Sequence, residues 1–115
     1  MSILERTSTY VRVCDRARLT PDRGVAALID GTPVAVFLLG TGELHAIDNV
    51  DPISNASVLS RGIVGDAGGK PTVASPLYKQ RFELRTGRCL DQDGVGVTVH
   101  DVRDSDGVIE VRLTS

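Results

Sequence analysis

Tryptophan is absent from this 115-residue sequence, and aromatic residues make up only 3% of it: Tyr10, Phe37, Tyr78 and Phe82. So few rings form no platform for stacking bases, and a formal net charge of −2 offers no cationic excess to a phosphate backbone. Nucleic acid is disfavoured as a partner on both counts. No apolar run approaches the roughly 20 residues a spanning helix needs. The opening MSILERTSTY lacks a basic segment followed by an apolar core, so no export signal is read and the expected compartment is the cytoplasm. There the two cysteines, Cys14 and Cys89, are expected as reduced, partly buried thiols. Also missing is any helix-length window with a 3.6-residue apolar period.

What is present is short alternating segments separated by turns. The length suits one domain with one core, and 41% of the residues are hydrophobic. Residues 1–8 are polar and expected to fray. Tyr10–Cys14, Val25–Ile29, Pro33–Leu39 and Glu43–Asp48 read as four strands of an antiparallel meander, with Asp30-Gly31 a strong hairpin signal. Asn49–Pro71 reads as a long loop with one helical turn somewhere in Asp51–Ser60, and loops of that length are usually functional. Thr72–Ser75, Arg81–Leu84 and a return at Cys89-Leu90 form a second, smaller β unit. Val97–Val102 and Val108–Leu113, joined by a turn at Ser105–Gly107, close the chain. The predicted class is all-β, a sandwich or small barrel.

Few residues offer chemistry. The glycines of Gly65–Gly69 lack the strand-to-helix context of a phosphate loop and read as a flexible turn. Asp48, Asp51 and Asp66 admit a cation site, although aspartates in β-loops more often accept backbone N–H bonds. No Ser-His-Asp or Cys-His arrangement has a plausible local context. Two cysteines and two histidines match the ligand count of an iron–sulfur centre, but Cys14, His45, Cys89 and His100 are scattered, without the short spacings of ligand loops. Both histidines are expected on strands with partly exposed rings.

Three runs carry a resemblance. Ala46-Ile47-Asp48-Asn49 leads into Asp51-Pro52-Ile53, Leu59-Ser60-Arg61-Gly62 follows, and Phe82-Glu83-Leu84-Arg85-Thr86-Gly87 comes after Ser75-Pro76-Leu77-Tyr78. These runs resemble the frame of a Rieske-type domain, in which Cys-x-His and Cys-x-x-His loops hold a [2Fe–2S] cluster. The resemblance implies an antiparallel sandwich with base sheets from residues 8–48 and 91–115, a smaller inserted subdomain at 49–90, and 1–115 as a single domain. At the four ligand positions stand Asp51, Ile53, Ser75 and Tyr78. Isoleucine ligates no metal, and serine and tyrosine poorly replace thiolate and imidazole, so no cluster is expected.

Within that family the runs Ser75–Phe82 (SPLYKQRF) and Val58–Asp66 (VLSRGIVGD) are similar to those of the small subunits of assimilatory NAD(P)H-dependent nitrite reductase. The resemblance implies an accessory chain without catalytic, cofactor-binding or metal-binding residues of its own. It implies a large-subunit partner that carries siroheme, FAD and [4Fe–4S] and reduces nitrite to ammonium. A cluster-less adaptor for another oxidoreductase is the alternative. Tyr78 reads either as a plug packed on Ile53 and Pro76 or as part of a docking tip. Lys79, Arg81, Arg85 and Arg88 against Glu83 give a local +3, with Arg61 nearby. Together with Tyr78 these residues form a candidate docking patch for an acidic surface.

Overall fold

The computed structural model describes residues 9–114, so the expected frayed segment 1–8 lies outside the described residues. Nine strands follow one another: β1 (Val11–Asp15), β2 (Arg23–Ile29), β3 (Thr32–Leu38), β4 (Leu44–Asp48), β5 (Ile63–Ala67), β6 (Lys70–Ala74), β7 (Arg81–Glu83), β8 (Val99–Ser105) and β9 (Val108–Arg112). They form a six-stranded sheet in the order β1-β9-β8-β4-β3-β2 and a three-stranded sheet in the order β5-β6-β7. Every pairing is antiparallel.

Turn chemistry sets the hairpins. Asp30 and Gly31, with φ of 48° and 81°, close the pair Ile29–Thr32 as the sequence predicts. Asp106 and Gly107 do the same between β8 and β9, with φ of 51° and 86°. The central strand is β3. Its Val34, Val36 and Leu38 join Ile29, Ala46, Ile109 and Val111 in one buried cluster. Its Ala35 and Phe37 join Ile47, Leu59, Val73, Phe82, Leu84 and Cys89 in the other. The large sheet therefore curls around one face of β3, and the small sheet covers the opposite face.

Three expectations are corrected. The meander has three strands, because β1 pairs with β9 at the far edge of the sheet. Apolar alternation identifies a strand but carries no information on its partner. The connection after β1 holds a 3-10 turn at Arg16–Arg18 and is anchored by buried Leu19, which belongs to the first cluster. The predicted loop 49–71 contains a 3-10 turn at Leu59–Arg61 and the whole of β5. Gly68 and Gly69, with φ of 61° and 89°, make the tight hairpin between β5 and β6. Finally, Cys89-Leu90 is no strand: Cys89 bridges to Phe82, and Leu90 N–H reaches Arg81 O.

His100 is buried, against expectation, whereas His45 is half-buried. The Nδ1 of His100 accepts the Thr114 N–H at 3.1 Å. Its Nε2 is thereby left as the donor to Asp48 Oδ1 at 2.8 Å, tying the last described residues to β4. Cys14 and Cys89 are both free thiols. Burial, and then Asp15, push the Cys14 thiol up.

Candidate functional site: twin loops at the tip

The two loops that stand in place of ligand loops share one backbone design. In the first, Asp51 N–H donates to Ala56 O at 2.8 Å and Asn55 N–H to Asp51 O at 2.7 Å. In the second, Ser75 N–H donates to Gln80 O and Lys79 N–H to Ser75 O, both at 2.9 Å. The opening side chain of each loop turns back on the third residue. Asp51 Oδ1 accepts Ile53 N–H at 2.9 Å, and Ser75 Oγ accepts Leu77 N–H at 3.4 Å. The second residue of each is proline, Pro52 and Pro76. The fifth lies in the left-handed region, Asn55 at φ 63° and Lys79 at φ 65°.

The loops meet through their first residues. Ser75 Oγ donates to Asp51 Oδ2 at 2.6 Å, with Asp51 0% and Ser75 1% exposed. A buried carboxylate requires donors to stay ionised. Burial alone pushes the Asp51 carboxyl up, but the bonds from Ser75, Ile53 and Ser54 outweigh it and hold the group below the usual carboxylate range. The first-loop exit is tied as tightly, since Asn49 Oδ1 accepts Ser60 N–H at 2.7 Å and Asn49 O accepts Leu59 N–H.

Of the other two positions, Ile53 packs against the second core cluster and Tyr78 is 61% exposed. The plug reading of Tyr78 is thus overturned, and the apolar side chain that does fill space beneath the loops is Ile53. Tyr78 stands at a tip with Leu77, which is 51% exposed, and with exposed Pro52 and Pro76.

A [2Fe–2S] cluster does not fit this donor set. The two positions where thiolates would stand are hydrogen-bonded to each other, a third is a partly buried isoleucine packed against the core, and the fourth points to solvent. Among the described residues no group of three or more His, Cys, Asp or Glu is placed to hold a metal. Asp48, Asp51 and Asp66 serve separate bonds, to His100, to Ser75 with Ile53, and to Gly69.

The six candidate docking residues are spread out. Tyr78 and Lys79 belong to the second loop, and Arg61 closes the 3-10 turn of the first-loop exit. Arg81 forms two side-chain bonds to Asp91, whose carboxyl the guanidinium holds at about 2. Arg85 leaves the opposite end of the small sheet and clasps Glu43. That end lies the length of β6 from the tip, roughly 13 Å at the rise of a strand. The local +3 seen in the sequence is reduced by these two partners, which come from outside the run. Arg88 is exposed. The backbone twinning of the loops was missed in the sequence, although the repeated residue–Pro step at Asp51-Pro52 and Ser75-Pro76 was its visible sign.

Comparison with known proteins agrees with this frame. The family described as the Rieske-like [2Fe-2S] domain matches residues 9–112. The nitrite reductase (NADH) small subunit of Salmonella typhimurium is 41% identical over 106 residues, covering 91% of this chain and 98% of that protein. A nitrite reductase [NAD(P)H] large subunit of Klebsiella oxytoca is 41% identical over 99 residues, which are 86% of this chain and 10% of that one. A crystal structure from Mycobacterium tuberculosis, assigned as an NADH-dependent nitrite reductase small subunit, superposes with a TM-score of 0.90 at 46% identity. The match covers 93% of this chain and 96% of that one. No helix among the described residues is long and apolar enough to cross a membrane. With its twin loops intact and its ligand positions replaced, the chain belongs to the Rieske-like [2Fe-2S] domain family, in the branch of the nitrite reductase small subunits.

Proposed function

We propose that this chain is the accessory subunit of a cytoplasmic NAD(P)H-dependent nitrite reductase, and that it docks by its twin-loop tip onto a large subunit. By the family resemblance that partner carries the siroheme, FAD and [4Fe–4S] and reduces nitrite to ammonium. This chain contributes no cluster and no reacting group. The observation that carries the reading is the tip itself. Ligand positions have become a buried hydrogen bond, and the apolar side chains above it, Leu77 and Tyr78, face outward. An exposed apolar group held on rigid loops suits a partner surface rather than solvent. The homologous stretch inside a Klebsiella oxytoca large subunit favours the same partner.

Tyr78, Lys79 and Arg61 are the proposed tip contacts. Arg88 is available beside the small sheet, while Arg81 and Arg85 contribute less because Asp91 and Glu43 already engage them. The test is co-purification of the tagged chain from cells grown on nitrate, with the visible spectrum of the eluate. The expected result is a large partner showing siroheme and flavin bands, whose nitrite-dependent NAD(P)H oxidation falls when this chain is omitted. A colourless chain eluting alone, or with an unrelated oxidoreductase, refutes the reading.

A further inference from the structure

The sheets of this molecule end in four edges, and three are blunted. β1 carries a bulge between Arg12 and Cys14 and an Arg12–Asp15 ion pair. β5 carries Gly65 and Asp66, and β7 is flanked by Cys89-Leu90. These are the usual devices against unwanted strand pairing. β2 is blunted only at its start, where it carries Arg23 and where Gly24 meets the first-loop exit. It runs seven residues in unbroken register with β3, without proline or bulge, and from Gly24 to Ile29 it holds no charge.

The register fixes what that edge presents. The hairpin closes at Ile29–Thr32, so from Val25 onward odd-numbered residues of β2 bond to β3 and even-numbered ones point their N–H and C=O outward, while at the start the Arg23 N–H turns back to Thr20 O. Pro33, which has no N–H, sits opposite Leu28 in keeping with this phase. At Gly24 the first-loop exit closes in: a Cβ there would meet Ser60 O at 2.4 Å. Beyond it Ala26 and Leu28 are exposed, Leu28 by 73%.

Beside this edge lies a groove of about 460 Å³ bordered by Arg23, Gly24, Ser60, Arg61 and Ile63. Ile63 is 76% exposed and pairs with Ala74, the residue before Ser75, so the groove adjoins the tip. Neither Arg23 nor Arg61 has an ion-pair partner among the described residues, whereas Arg12, Arg16, Arg81, Arg85, Arg103 and Arg112 each have one. Asp22 also borders the groove, with its Oδ1 accepting Gly40 N–H at 2.9 Å.

We propose that the β2 edge accepts an extended, largely apolar segment of the large subunit as an added strand, with a carboxylate of that segment between Arg23 and Arg61. Main-chain bonds to Ala26 and Leu28 supply affinity, and the two guanidiniums supply direction. This rests on the large-subunit reading above but places a second contact next to the tip.

The test combines amide deuterium exchange over residues 24–29, with and without large subunit, and binding by Ala26→Pro, Leu28→Lys and Arg61→Glu chains. Proline at residue 26 removes an outward N–H while leaving the β3 ladder intact, and a melting curve checks each fold. The expected result is new protection at Ala26 and Leu28 in the complex and binding about tenfold weaker for each variant. Unchanged exchange and unchanged binding of folded variants, while the natural chain still binds, overturn the strand proposal and leave the tip reading standing. A natural chain that does not bind the large subunit refutes the underlying reading instead. Protection of β2 that rises with the concentration of this chain alone assigns the edge to a second copy and overturns the proposal.

Discussion

Residues 51–56 and 75–80 trace the same turn with the same three bonds, yet one lies on the core and the other stands clear of it. At the third position of each turn Ile53 packs on the second core cluster, whereas its counterpart Leu77 is 51% exposed. Each opening side chain closes its own turn, and the two opening side chains then bond to each other. What differs is which loop faces the molecule and which faces outward. A frame built for four ligands has become an anchored half and a presenting half.

The comparison breaks most severely at Asp51. Asp51→Ala removes the acceptor for both the Ser75 hydroxyl and the Ile53 amide, and urea unfolding should report a loss of about 3 kcal/mol. Ser75→Ala leaves the carboxylate with its Ile53 bond and should cost about 2 kcal/mol. The double variant should lose less than the sum, since both changes remove one shared bond. The pH dependence has a definite sign. The folded carboxyl of Asp51 lies below its unfolded value, so its contribution is complete above the ordinary carboxylate range and is lost as pH falls through the folded value. Ser75→Ala raises that folded value and should move the acid transition to higher pH. His45, lowered by burial first, adds a loss in the same direction below the ordinary histidine range.

Smaller effects separate anchored from presenting. Ile53→Ala should cost about 1.5 kcal/mol, since Ile53 is only partly buried, whereas Tyr78→Ala should stay within about 0.5 kcal/mol in the same unfolding experiment. A Tyr78→Ala chain as destabilised as Ile53→Ala would erase the distinction. At the fifth positions the expected change is a gain. Lys79→Gly relieves a left-handed lysine and should gain up to about 1 kcal/mol, whereas Asn55→Gly should gain only a few tenths, since asparagine tolerates that conformation.

What was legible in the sequence was local. The Asp30-Gly31 turn carries its own φ requirement, and the alternation along Pro33–Leu39 marked the strand that the core surrounds. Partners were less legible. Nothing in Val11–Cys14 names β9 as its neighbour, and the Gly68-Gly69 hairpin lay hidden in a stretch that read as loop. At the site, the replaced ligand positions were legible, but not the bond between Asp51 and Ser75, which lie 24 residues apart. Nor was the direction of Tyr78. A ring at the fourth place of its turn points away from the core that the third place of the other turn reaches, and residue type alone does not carry that distinction. The partners of Arg81 and Arg85 came from outside the basic run, which made the run look more charged than the surface is.

The central claim is that a cluster-free chain supports a redox partner by docking. Its most direct test is a titration of isolated large subunit with anaerobically purified chain, following nitrite-dependent NAD(P)H oxidation and assaying iron and acid-labile sulfide in the same preparation. The account predicts a chain without iron or sulfide that raises activity to a plateau, and a Tyr78→Ala chain that needs a higher concentration to reach it. Activation proportional to iron bound by this chain, or no activation at any concentration, contradicts it.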